Sequence, residues 1–277
     1  PQEIVAQKFE EKNEELEIGK QIGTYYYNLN NLAMEGTKNP FVNKNIRKAF
    51  SMALDRETLV NSVTMGGQIA AEGMVPFGLH DENGKDFREE NGNLINYDPE
   101  EAKVLLEKGL EEEGLKAEDL NDKVLLYNTD ENHKKIAQAV QQMWKEALGV
   151  EIQLENVDFN VKMAREHAHD FEISRGGWVG DFADPMTMLE IFVTGGAMND
   201  TGFSNPTYDE YINVAKSSGD QEVRMNAMRE AEKILMEEMP LIPVYFYTQP
   251  YFVKKDVKGI YKPLIEYPVM TYAELGE

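Results

Sequence analysis

The sequence predicts an α/β protein whose mostly parallel sheet is flanked by helices. The chain alternates short β-favouring runs with amphipathic helical patterns, and the order strand, helix, strand occurs twice in outline. Ligands of such sheets gather at the carboxyl ends of the strands, so the segments after Tyr127 and Ser174 are the candidates for ligand contact.

The first half of the chain is predicted to contain a strand, two helices and an irregular segment. Residues 22–30, IGTYYYNLN, are aromatic and β-favouring. Apolar residues recur at helical spacing from Asn43, and Asp55 is a suitable N-cap for a second helical run. Residues 66–98 are rich in glycine and polar groups, which favours a surface excursion over packed structure.

The second half begins with a predicted helix, for which Asp98 and Pro99 form an N-cap and first-position pair. KVLLYN and EIQLENV are predicted strands on either side of a helix, and DFEIS is a strand before a short helix at DPMTMLEIF. Two longer helices follow. The prolines of LIPVYFYT favour an edge strand or a crossover, and residues 249–277 are predicted to be irregular with short strands.

The composition is that of a globular protein and excludes several partners. The 277 residues are 42% hydrophobic, which suffices for one large or two smaller domains. Lys and Arg number 28 against 50 Asp and Glu, and the net charge of −22 repels phosphate backbones, so we expect no nucleic-acid partner. The absence of cysteine excludes disulfides, iron–sulfur ligation and thiol catalysis, while the cellular compartment stays open.

The amino-terminal stretch PQEIVAQKFEEKNEEL lacks the basic region and apolar run of a signal peptide. No segment of the sequence reaches the roughly 20 apolar residues of a membrane span. Because Pro1 is not a natural start residue, we expect a fragment of a longer chain whose export signal lies upstream.

The segment SRGGWVGDFADP, residues 174–185, carries the strongest candidates for a binding site. Its glycines allow another backbone to approach closely, and Trp178 offers an apolar platform. Alternatively, the glycines only form turns and Trp178 fills the core. For Asp184 we favour a helix cap, which leaves Asp181 as the candidate for a cleft carboxylate, with a turn residue as its alternative.

His133 follows a predicted strand at the start of a helix, where a cation or hydrogen-bond donor can meet an anionic ligand group. Exposed histidines are also common at such places. The remaining histidines do not form a metal-ligand spacing, so we predict neither a metal nor a cofactor. No GxSxG, HExxH or phosphate-binding glycine motif is present, which leaves an enzyme hypothesis without specific support.

Together these segments resemble the peptide- and oligopeptide-binding proteins of ABC transporters, the extracytoplasmic solute-binding proteins of family 5. The matching segments follow in the expected order: TYYYNLN, NKNIRKAFSMALDRETLVNSV, LLYNTDENHKKIAQAVQQMWKEALGVEIQL, SRGGWVGDFADP and LIPVYFY. Within the helix pair the characteristic places are held by Arg47, Ala49, Asp55 and Arg56.

The resemblance implies a periplasmic-binding-protein-like fold of type II, in which two lobes close over an extended peptide. It assigns residues 1–23 to a remnant of the first lobe and hinge, 24–245 to the second lobe, and 246–277 to strands that return to the first.

By resemblance, the protein would be a non-enzymatic, extracytoplasmic receptor, either periplasmic or lipid-anchored on the cell surface, that delivers short peptides to the permease subunits of an ABC importer. The alternatives are a sensor of signalling peptides, a carrier of nickel, haem or a sugar on the same fold, and, as the weakest, a hydrolase.

The resemblance also implies roles for individual residues. Asp181 matches the carboxylate that pairs with the α-ammonium group of the peptide, and Arg175 and His133 match the groups that receive its carboxylate. Gly177, Trp178 and Val179 match the segment whose backbone runs beside the ligand. Two further positions near the ligand depart from enteric members of the family, which have an acid where this chain has Asn28 and a lysine where it has Thr64.

Overall fold

The computed structural model describes residues 2–265 and 267–276, in which one six-stranded sheet has helices on both faces. The strands are β1 (Leu16–Leu29), β2 (Ile69–Ala70), β3 (Val124–Asn128), β4 (Gln153–Val157), β5 (Ile173–Val179), β6 (Leu241–Phe252), β7 (Val257–Lys258) and β8 (Glu274–Leu275). The helices are α1 (Gln2–Glu10), α2 (Lys44–Met52), α3 (Arg56–Leu59), α4 (Phe87–Asn91), α5 (Pro99–Glu113), α6 (Glu131–Leu148), α7 (Phe159–His167), α8 (Met186–Leu189), α9 (Pro206–Ser217) and α10 (Gln221–Glu238).

The strand order in the large sheet is β2-β6-β1-β5-β3-β4, and β7 and β8 form a separate hairpin. Four of the six strands, β3 to β6, run in the same direction, as predicted for a mostly parallel sheet. Strand β1 runs against both of its neighbours, so the central pairings are antiparallel. The predicted α/β class and its flanking helices are confirmed.

Strand β1 separates two hydrophobic cores, because successive side chains of a strand point to opposite faces. Tyr25 and Tyr27 belong to the core beneath α2, α5 and α6, in which Trp144 is fully buried. Tyr26 belongs to the core on the other face, beneath α9 and α10. The central strand is therefore buried on both sides.

The two signature arginines connect the helix pair α2–α3 to the rest of the lobe. Arg47 donates from Nε and Nη2 to the carbonyl of Glu238, at 3.0 and 2.8 Å. Arg56 is buried and donates from Nε to the carbonyl of Pro243 at 2.7 Å. Both side chains therefore satisfy backbone carbonyls that the helices and β6 leave unpaired.

The prediction of a surface excursion at residues 66–98 is wrong. Most residues from 71 to 79 are buried, and Met74 and Phe87 belong to the second core. The irregular backbone can be buried because its polar groups have partners: Thr24 donates to the carbonyl of Met74 at 2.8 Å, and Val75 donates to Glu232 at 2.8 Å.

Several strand boundaries also differ from the predictions. Strand β1 begins at Leu16 instead of residue 22, and β6 continues to Phe252 into the predicted irregular tail. Strand β6 is not an edge strand, since it lies between β1 and the two-residue β2. It accommodates Pro243 at a register shift of its ladder with β1, where a missing N–H disturbs the pairing least.

The predicted glycine-rich loop begins as a strand. Strand β5 continues to Val179, so Gly176 and Gly177 lie within it, and the alternative that these two glycines form turns is wrong. A Cβ atom on Gly176 would lie 2.3 Å from the ring of Tyr26. Close packing against a neighbouring ring therefore explains this glycine.

A buried ion pair between Arg88 and Glu232 should dominate the stability of the segment at 71–92. The atoms Nη1 and Oε1 are 2.6 Å apart, and both side chains are fully buried. We expect Glu232→Gln to lower the free energy of unfolding by about 3–5 kcal/mol, because the guanidinium stays buried without its counter-charge. Urea unfolding measures this loss.

The matched control is Glu237→Gln on the same helix, because Glu237 forms an ion pair with Lys48 and its side chain is 58% exposed. This variant should lose at most about 1 kcal/mol. Equal losses in the two variants would show that burial of the Arg88 pair is unimportant.

Candidate functional site

A crevice opens where β3 and β5 diverge. In the described part of the chain, their ladder joins only Leu125 to Ile173 and Leu126 to Ser174. Strand β3 then continues beside β4 to Asn128, while β5 continues beside β1 to Val179. The gap lies at the carboxyl ends of both strands, the position that the sequence selects for ligands.

Beyond Ser174, one backbone edge of β5 has no strand partner among the described residues. Gly180 donates to the carbonyl of Ile22 at 2.8 Å, and this pair continues the antiparallel register of β1 and β5. Hydrogen-bonded and non-bonded pairs alternate in such a ladder, so the backbone groups of Arg175, Gly177 and Val179 point away from β1. Gly177 and Val179 are exposed.

The side chain of Arg175 lies in a cluster of tyrosines from β1 and β6. Its guanidinium carbon is 4.6 Å from the ring centre of Tyr25, and Nη2 donates to the hydroxyl of Tyr247 at 2.9 Å. Tyr245 stacks on Tyr25 with ring centres 4.8 Å apart. The Nε atom of Arg175 is buried and has no hydrogen-bond partner among the described residues.

Sequence reasoning missed the tyrosine cluster. Tyr245 and Tyr247 are two residues apart on β6, which places both on one sheet face, and Tyr25 pairs with Tyr245 in the ladder. The i, i+2 spacing was visible in LIPVYFYT, but the pairing of the strands was not. Burial raises the pKa of Tyr25 to about 12 and also raises that of Tyr247, so both hydroxyls stay neutral at physiological pH.

His133 joins this cluster in the first turn of α6. Its Nδ1 is 3.4 Å from the hydroxyl of Tyr25 and 3.9 Å from a carboxylate oxygen of Asp130. Burial and, as a smaller effect, the charge of Arg175 lower the pKa of His133 to about 4. The imidazole is therefore a neutral hydrogen-bonding group at pH 7, and the alternative of a cation at this position is not supported.

Asp181 follows the free edge of β5 and is exposed. Its backbone N–H donates to Oγ1 of Thr187 at 3.0 Å, and its carboxylate forms no ion pair with any residue that the structure describes. Asp184 instead accepts from the N–H of Met186 at the start of α8 and forms an ion pair with Arg224 at 3.0 Å. The two acids thus differ: Asp184 is engaged at the start of α8, whereas the carboxylate of Asp181 has no ion-pair partner among the described residues.

The remaining candidates lie apart from the tyrosine cluster. Trp178 points to the opposite face of β5 and packs against the second core, with a buried Nε1 that has no partner among the described residues. Asn28 is buried in the middle of the sheet, opposite Ser174. Thr64 donates to Oε1 of Gln68 at 2.9 Å and lines a neighbouring cleft of about 370 Å³ that also contacts Tyr245.

The structure therefore brings three predicted residues, Arg175, Gly177 and His133, together around Tyr25, and places Val179 and Asp181 farther along the same edge. Within residues 2–265 and 267–276, no group of three or more His, Asp or Glu side chains is arranged to hold a metal ion. Among the same residues, no helix combines the length and apolarity that crossing a membrane requires.

Comparison with known proteins identifies relatives over the whole chain. The sequence profile of the bacterial extracellular solute-binding proteins, family 5 (middle), matches residues 1–200. The dipeptide-binding protein DppE of Bacillus subtilis is 41% identical over 274 residues, 99% of this chain and 49% of the relative. The oligopeptide-binding protein OppA of the same organism is 41% identical over 255 residues, 91% of this chain and 45% of the relative.

A solved structure, Listeria monocytogenes OppA bound to peptide, superposes with a TM-score of 0.82 at 30% sequence identity. The superposition covers 99% of this chain and 52% of the Listeria chain. The chain spans about half the length of the curated relatives it matches.

The protonation of His133 can be measured directly. We expect ¹H NMR titration of the imidazole to give a midpoint near 4, with a higher midpoint in Arg175→Ala, where a neighbouring positive charge is lost. The unfolded chain takes up this proton near pH 6.5, so acidification from about 6.5 to about 4 destabilises the folded state at this residue. A midpoint of 6 or above in the wild type would contradict the buried, neutral assignment.

Proposed function

Because the chain belongs to the family 5 bacterial extracellular solute-binding proteins, we propose that it forms the ligand-binding lobe of a peptide receptor serving an ABC importer. The names of the relatives support a binding protein for dipeptides or oligopeptides in preference to an enzyme. The receptor would act outside the cytoplasm, held by a lipid anchor, and pass its ligand to the permease subunits.

The free edge of β5 carries this proposal. Five residues, from Arg175 to Val179, extend past β3, and the backbone groups of Arg175, Gly177 and Val179 face outward. A cationic side chain lies at one end of this edge. An exposed carboxylate, Asp181, follows the other end. A short peptide in zwitterionic form has the complementary pattern: an ammonium group, a line of backbone donors and acceptors, and a carboxylate.

The proposed ligand runs antiparallel to β5. Its α-ammonium group pairs with Asp181, its backbone adds a strand beside Gly177 and Val179, and its carboxylate meets Arg175. Main-chain hydrogen bonds do not depend on side-chain identity, so this mode accepts many peptide sequences. The terminal charges instead select for free peptide ends, since a charge that closure of the site desolvates needs its partner.

The architecture is compatible with a two-lobed receptor. The proposed boundaries of the second lobe, residues 24 and 245, lie inside β1 and β6, and these two strands pair on both sides of them, with register shifts between Lys20 and Thr24 and between Tyr25 and Tyr26. Leu16–Lys20 pairs with Thr248–Phe252 as an extension of the sheet. In the proposal, this ribbon carries the chain from one lobe to the other.

Calorimetry on the complete receptor tests the role of Asp181. We expect Asp181→Asn to weaken the binding of trialanine at least about tenfold, because the peptide ammonium loses its counter-charge. N-acetylated trialanine should bind the wild type as weakly as free trialanine binds the variant.

The control is Asp184→Asn. Asp184 lies three residues after Asp181, and its carboxylate is already paired with Arg224, so this variant removes the same charge from a group that has a partner. It should bind trialanine like the wild type. Wild-type affinity in Asp181→Asn would refute the assigned role, and the appearance of peptide cleavage products would replace the receptor with a hydrolase.

A further inference from the structure

The guanidinium of Arg175 is displaced along β5 from its own backbone position. A Cβ atom on Gly177 would lie 3.2 Å from Nη2 and 3.6 Å from the guanidinium carbon of Arg175. The charge therefore lies above Gly177, two residues nearer to Asp181 than the Cα atom of Arg175.

Tyr247 holds the guanidinium in this place. Its hydroxyl accepts from Nη2 at 2.9 Å, and the Tyr25 ring lies beneath the guanidinium at 4.6 Å. The contact exists because residue 177 is glycine: a Cβ atom there would lie 2.5 Å from the hydroxyl oxygen of Tyr247. The missing side chain thus provides the space in which the two groups meet.

The displacement changes the distance between the two charges at the ends of the free edge. Extended backbone rises about 3.3 Å per residue, so the six steps from Arg175 to Asp181, which lies two residues past the end of β5, span at most about 20 Å. Four steps separate Gly177 from Asp181, or at most about 13 Å. The hydrogen bond that Arg175 donates to Tyr247 therefore brings the cation about 7 Å closer to the carboxylate than the Cα atom of Arg175.

We propose that Tyr247 is a positioning residue that sets the length of the bound peptide through Arg175. This inference rests on the proposed function. Extended peptides of two and three residues are about 7 and 10 Å long, and charge contacts of about 3 Å at both ends extend them to about 13 and 16 Å. A pentapeptide, about 17 Å long and about 23 Å with both contacts, lies closer to the longer distance that a released guanidinium would offer. The favoured ligands are accordingly peptides of two or three residues with a free carboxylate.

Calorimetry with trialanine and pentaalanine on the complete receptor tests this inference. The wild type should prefer trialanine. Tyr247→Phe should weaken trialanine binding about tenfold, equivalent to about 1.4 kcal/mol, while pentaalanine binding stays within about twofold or strengthens. Amidation of the trialanine carboxylate should weaken binding to the wild type and have little effect on the variant.

Tyr251→Phe is the matched control, since it removes the same hydroxyl from β6 four residues away from the contact with Arg175. It should keep the wild-type preference for trialanine. Gly177→Ala provides a second route, because its Cβ atom displaces the Tyr247 hydroxyl and should produce the same shift toward pentaalanine.

The outcomes separate the inference from the proposed function. Equal losses for both peptide lengths in Tyr247→Phe would show a merely structural role and overturn the inference. Equal wild-type affinity for trialanine and its amide would also overturn it, because Arg175 would not receive the carboxylate. If the wild type bound neither peptide, the proposed function itself would fail.

Discussion

Backbone hydrogen bonding is the constraint on which the site depends. A strand inside a sheet normally uses its N–H and C=O groups on both sides, and an edge left open invites another chain. Strand β5 meets this requirement only as far as Ser174, where its ladder with β3 ends within the described residues. Beyond Ser174, the backbone groups on the β3 side of β5 face a crevice instead of a neighbouring strand. In the proposed binding mode, an extended chain would complete their hydrogen bonding, and the sheet would gain a strand without any change in its own pairing.

The electrostatics of the crevice contrast with those of the whole chain. The net charge is −22, yet the ion pairs of the described residues do not involve Arg175. Tyrosine hydroxyls and ring faces surround its guanidinium, so it is stabilised by dipoles and quadrupoles that leave its charge uncancelled. His133, which is neutral at pH 7, adds a hydrogen-bonding group without a second charge. Such a site keeps a cation for an anionic ligand group in a protein that otherwise repels anions.

Much of the fold followed from local patterns. Helix caps at Asp98 and Asp55, the helix after the first parallel strand and the position of the crevice were all visible in the sequence. The packing of residues 66–98 was not, because it depends on the pairing of Arg88 with Glu232, residues that are distant in the chain. The contacts that require glycine in β5 were not visible for a similar reason. The need for space at these glycines comes from the side chains of Tyr26 and Tyr247 on other strands, which no local periodicity reveals.

The position of β1 at the centre of the sheet also affects how the chain folds. β1 comes early in the sequence, yet its partners are β5 and β6, and Tyr25 pairs with Tyr245 near the other end. Such non-local pairing makes folding slow, because a long loop must close before either ladder forms. Until residue 252 has been synthesised, this tyrosine-rich strand lacks part of the structure that finally buries its two faces. The strand beside the crevice is thus made early and paired late, which leaves its apolar tyrosine rings accessible in the nascent chain until its partners have been synthesised.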